Sequence, residues 1–136
     1  MIPITTILTE VSAAVNAVSG VTFKSHETGY IREVVPVTQM PSCDIAAGDH
    51  TAVEMAGYTD YTLPLIIVIR RQDITRTAKA TTFNDFIERV CAALTTHSPV
   101  AFDHIGAIAS QRGEEPGGDG SMVRVAVITC NALYHD

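Results

Sequence analysis

The chain has 136 residues, enough for one domain with one hydrophobic core. A composition of 46% hydrophobic and 18% charged residues, with no Trp, excludes a disordered polymer. A formal net charge of -6, with no Lys/Arg cluster large enough to track a phosphate backbone, excludes binding to nucleic acid by charge.

The charged fraction is low for a free domain, which suggests that part of the surface is covered by something else. The three cysteines, Cys43, Cys91 and Cys130, are too few, too widely spaced and odd in number for a disulfide framework. Cys91 and Cys130 fall within helical and strand patterns and read as buried thiols, and no Cys-x-x-Cys pair supports zinc or redox chemistry. The opening MIPITTILTEVSAAVNAV lacks a basic n-region and is interrupted by Glu10, so it does not read as a signal peptide. The strongest apolar run, Leu63 to Ile69, is far short of a membrane span, and synthesis in a reducing cytoplasm is the expectation.

In chain order, Ile4, Ile7, Leu8, Val11, Val15 and Val18 recur at helical spacing, which predicts a helix over 5–19. Pro3 precedes it and Gly20 stops it. Val21 to Phe23 reads as a short strand, Lys24 to Gly29 as a turn or loop, and Tyr30 to Val35 as a better strand. Residues 36–49, with Pro36, Pro41 and Gly48, read as irregular, leading into a mobile or partner-facing segment around Ala46 to His50.

Two strands follow, His50 to Ala56 and Tyr58 to Arg70, joined near Gly57. In the second, Leu63, Leu65, Ile67 and Ile69 point one way and Thr62, Ile66 and Val68 the other, so both faces should be covered. Pro64 cannot donate to a ladder and marks an edge, a bulge or a strand start. Gln72 to Ala80 reads either as a plain connector or as a partner-facing loop.

Thr82 and Asp85 fit a capping box for a second helix, with Phe83, Phe86, Ile87, Val90, Cys91 and Leu94 on one face. It should end around Thr95 to His97, ahead of Pro99. Phe102 to Ser110 reads as a strand with Ile105, Ala107 and Ala109 on one face. Arg112 to Ser121, RGEEPGGDGS, reads as a flexible loop or hairpin tip, either a solvated turn or a loop that orders against a partner. Met122 to Leu133 is the final strand, with Val123, Val125 and Val127 on one face and Met122, Ala126, Ile128 and Cys130 on the other.

This order predicts a single α+β domain over 1–136, with a mixed, mostly antiparallel sheet and two helices packed on one face. The apolar residues of the reverse face then need a second layer, made by the chain's own extra segments or by a neighbouring subunit.

Candidate chemistry is sparse. His26, Glu27, Asp44, Asp49 and His50 can be drawn as a metal cluster, but nothing in their spacing makes them converge. Asp103 and His104 are adjacent in a strand and face opposite sides, and no serine has a nucleophile-elbow context. No Gly-x-Gly-x-x-Gly or phosphate loop supports a nucleotide. The expectation is a non-enzyme with no cofactor or metal. The candidate subunit or partner contacts are Asp44, Asp49, Arg70, Arg71, Arg76, Lys79, Arg112, Glu114 and Glu115. A ligand-binding protein or enzyme would have to build its pocket in 39–50, around Cys43, Asp44, Asp49 and His50. A generic cellular binding or adaptor module is a further alternative.

The leading amphipathic helix, the TDYTLPLIIVIRRQD strand, the TTFNDFIERVCAAL helix and the final MVRVAVITCNALYHD strand carry a resemblance across nearly the whole chain. In these segments, and in size, the chain resembles the tail terminator or tail completion proteins of long-tailed bacteriophages. Neck and head–tail joining proteins share the pattern. The resemblance implies a homo-hexameric ring that caps the tail tube, ends tube polymerisation and presents a surface for head joining. The implied partners are copies of itself, the tail tube protein and a head–tail connector or neck protein. DNA would only pass through the lumen, and no membrane is involved. The implied location is the tail–neck junction of a virion, after synthesis in the host cytoplasm.

Overall fold

The computed structural model describes the backbone of every residue except Val21, Ile74 and Thr75, and the side chains outside these and outside residues 73 and 76–81. Of the expected strand from Val21 to Phe23, Val21 lies outside the described residues, and Thr22 and Phe23 are loop rather than strand. Helix α1 runs over Ile4–Asn16, ending before the expected Ser19. It buries Ile7, Leu8, Val11 and Val15, the stripe that its periodicity marks.

Strand β1, Ser25–Thr28, lies in the polar stretch expected to be a turn. Tyr30 to Val35, expected to be a strand, is instead loop, with a single 3-10 turn at Val37–Gln39 after it. The reason is the partner: β1 pairs in parallel with β2, Ser42–Ala47, and takes the ladder position beside it. Strand β2 falls in the stretch 36–49 read as irregular, and its end, from Ala46, in the part read as mobile or partner-facing. It is an interior strand whose first four residues are buried, because its other edge pairs antiparallel with β4.

Strands β3, Thr51–Met55, and β4, Tyr58–Asp73, form a hairpin turned at Gly57, which holds φ +92. Both β2 and β3 pair with the same edge of β4, one after the other. Pro64 sits at the break between them, and its carbonyl accepts from Gly48 N–H at 2.9 Å. The proline's missing donor thus falls where the ladder is interrupted.

Helix α2 covers Arg76–Thr96 and starts six residues before the expected cap at Thr82. The stretch 72–80, read as a connector or loop, is the end of β4 followed by helix, with 74 and 75 undescribed. Strand β5, His104–Pro116, runs well into the expected loop and pairs with β6, Met122–His135, so the hairpin tip shrinks to residues 117–121. A bulge between Gly106 and Ala109, with Ala107 at φ +55, reverses the facing of β5. Ile105 therefore pairs beside Ala132 on the core side, while Ala109 pairs beside Thr129 on the other, contrary to the shared face expected for them.

The sheet order is β1-β2-β4-β6-β5, with β3 also on β4. Every pairing is antiparallel except β1 with β2. Both helices pack on one face, as expected for this α+β order. Their buried residues join Cys43, Ile45, Leu63, Leu65, Ile67, Ile69, Ala126, Ile128 and Cys130 in one core. Phe86 is 1% exposed and Ile87 and Val90 are fully buried, so α2 supplies the centre of that layer.

Candidate functional site

The reverse face of the sheet is built by the alternate residues of the same strands. At one end the chain covers it with its own segment 30–40, where Val35, Met40 and Val123 form a second small apolar cluster with Val37 and Val125 against it. This segment is pinned by charge. Asp44 is fully buried on the reverse side of β2. Its carboxylate accepts from Arg32 Nη2 at 2.7 Å, Arg32 Nε at 3.0 Å and the Arg32 backbone N–H at 3.1 Å. Arg70 Nη1 adds a fourth donor at 3.3 Å.

Arg70 also donates to the Arg32 carbonyl at 3.1 Å and to Glu115 at 3.2 Å. Arg32 reaches Ser25 Oγ on β1 at 3.2 Å. The Asp44 hydrogen bond pushes the Arg32 guanidinium above its ordinary value, against a smaller opposing effect of burial. One buried carboxylate shared by two guanidiniums is a strong pin, because removing any member strands a buried charge.

Of the residues read as contacts, the structure brings together Asp44, Arg70 and Glu115, and it does so inside the chain. Asp49 is exposed in the β2–β3 connection. Arg71 lies over the Phe83 ring, 5.1 Å from its centroid. Glu114 pairs with Arg124 at 3.3 Å. Arg112 is exposed on β5. The side chains of Arg76 and Lys79 lie outside the described residues. Arg32 and Ser25 escaped the sequence reading, since a lone arginine in a stretch read as strand carries no signal of its own.

The alternative pocket in 39–50 does not form around its four residues. Cys43 and Asp44 are adjacent on a strand and point to opposite faces. Burial pushes the Cys43 thiol up to about 12, with the Asp44 charge adding to it. His50 packs away from them, with Nε2 2.7 Å from Tyr134 Oη. Of the other histidines, His26, His104 and His135 are exposed, and half-buried His97 contacts Glu10 at 2.8 Å. Among the described residues, no group of three or more His, Cys, Asp or Glu could hold a metal ion. No described helix is long and apolar enough to cross a membrane.

Beyond the pinned segment the reverse face is open. Val53, Met55 and Tyr58 are 53%, 46% and 44% exposed at the β3–β4 hairpin. Pro64 is exposed, and Ile66, Val127 and Leu133 are only partly covered. Three strands leave an edge unpaired, β1 and β3 on one side of the sheet and β5 along the opposite side. Every residue of β3, and residues 111–116 of β5, are exposed. The arrangement offers strand edges and exposed apolar side chains, features that can take a protein partner.

No family model matches the chain, and no curated protein matches it in sequence. Among solved structures, the chain is similar to a chain of one described as "Virion of native gene transfer agent (GTA) particle". The match has a TM-score of 0.44 and 8% identity, and it covers 90% of this chain and 83% of that one. At that score the likeness defines neither a shared family nor a shared role.

Proposed function

We propose that the chain is a structural subunit of a phage-like virion, working as a homo-hexameric ring at the end of a tail tube. There it would end tube polymerisation and meet a neck or connector protein. The role comes from the sequence resemblance to tail terminators. The single observation that supports assembly is the unfinished reverse face, where Val53, Met55 and Tyr58 stand exposed at the free edge of β3.

Segment 30–40 covers one end of the reverse face. The apolar side chains of the β3–β4 hairpin lie beyond its reach, and in this reading a neighbouring copy covers them. A ring requires heterologous contacts, in which two different surfaces of one chain meet. The dissimilar edges of β3 and β5, on opposite sides of the sheet, are suited to that. The net charge of -6 suits a lumen through which DNA passes without sticking.

The test is the mass of the purified protein by light scattering, with electron micrographs of the same sample. Six-membered rings with a central hole are the expected result. A strict monomer at high concentration, alone and with tail tubes added, would refute the reading.

A further inference from the structure

Two exposed charges of opposite sign stand on the free edges of β3 and β5. Glu54 is on β3 and Arg112 is on β5, and among the described residues neither side chain makes an ion pair or hydrogen bond. The nearby acids of β5 are already engaged, Glu114 with Arg124 and Glu115 with Arg70. Glu54 pairs beside Thr59 and Arg112 beside Ala126, and both positions lie on the helix side of the sheet. Their neighbours Val53 and Gly113 therefore lie on the reverse side.

Gly113 leaves a dent in β5. A Cβ there would meet nothing within 4 Å, and half-buried Val125 is its partner across the ladder, with Val127 next to it. Within one chain β3 runs parallel to β6, because both are antiparallel to β4, and β5 is antiparallel to β6. A second copy placed the same way up thus brings its β3 antiparallel to β5, and the alternation of strands continues unbroken. The bulge ends at Ala109, so the straight part of β5 from there on is the part open to pairing.

Resting on the ring reading above, we infer that β3 of one copy adds to β5 of the next, with Glu54 opposite Arg112 and Val53 over Gly113. In that register Met55 lies over Gln111 on the same reverse face, and Val53 fills the dent above Val125. The ion pair sets the register, and the apolar contacts drive the docking. The two segments sit at opposite ends of the sheet, so successive copies step along the strands, as strands of a barrel do. The occupant is a second copy rather than a foreign strand, because both complementary halves belong to this chain.

Disulfide trapping tests it with the full-length protein in a Cys91→Ser background. Val53→Cys and Gly113→Cys are made separately, mixed and oxidised with diamide. Both sites are exposed and tolerate a small side chain. The expected result is a covalent dimer in the mixture at least tenfold above either variant alone. A Glu54→Arg change should abolish the dimer, and Arg112→Glu on the other partner should restore it. Dimers in Val53→Cys alone would overturn the proposal, since they show a self-complementary contact. Rings that form without trapping overturn this contact but leave the ring reading standing. Trapped dimers from a protein that forms no rings keep the contact and sink the ring, and neither rings nor trapped dimers sinks both.

Discussion

The two faces of the sheet are finished differently. The helix face closes on the chain itself: Ile67 and Ile87 are fully buried and Phe86 is 1% exposed. The reverse face closes at one end only, by means of a buried ion cluster rather than apolar packing alone, and leaves Val53 and Met55 in water. The helix face is thus a stability surface, and under the proposed function the open face is an interaction surface. Substitutions in the two should separate into effects on folding and effects on association.

The largest effect belongs to the helix face. Phe86→Ala should cost about 3 to 5 kcal/mol of unfolding free energy, since it removes a buried ring from the centre of the core. Denaturant titration checks this, and a loss under 1 kcal/mol would mean that α2 does not close the core as described. Next is the pin: Asp44→Asn should cost about 3 kcal/mol by leaving two guanidiniums without their carboxylate. It should also open 30–40 to limited proteolysis before the rest of the chain. Simultaneous loss of all regions would show that the segment is not held separately.

Smaller still is Glu10, which accepts from His97 and from the Val100 and Ala101 N–H groups. Burial alone would raise its carboxyl, but these hydrogen bonds together hold it below its ordinary value of 4.5. Its contribution is therefore present above 4.5 and lost as pH falls through the lowered folded value. Glu10→Gln should cost about 1 to 2 kcal/mol at neutral pH, and the gap from wild type should close in acid. A gap that widens in acid has the wrong sign for this account. Least affected in folding should be Val53→Asp, within about 0.5 kcal/mol of wild type, while any oligomer is lost.

Burial and periodicity made the helix face legible. The odd positions of β4 and the stripes of both helices were readable because apolar residues recur at the period of each element. The exposed face was less so. Tyr30 to Val35 has strand composition yet is loop, while polar Ser25 to Thr28 is strand, because partner availability outweighed propensity. The sequence RGEEP looked like a loop, but pairing with β6 carried β5 through it.

Asp44 was readable as notable but not as buried, since its guanidinium partners lie 12 and 26 residues away. The start of α2 was missed because Thr82 offers a cap that the fold does not use. The apolar hairpin could have been flagged, since Val53 and Met55 alternate with Ala52 and Glu54 beside a turn glycine. That alternation also fits a half-buried strand, and only the register leaves them uncovered.

The central claim is that the chain finishes one face and a neighbour finishes the other. Hydrogen exchange read at dilute and concentrated protein tests it most directly. The account predicts new protection confined to Thr51–Met55 and the outer half of β5, with the centre of β4 equally protected in both. Protection that leaves both edges unchanged while particles form would contradict it.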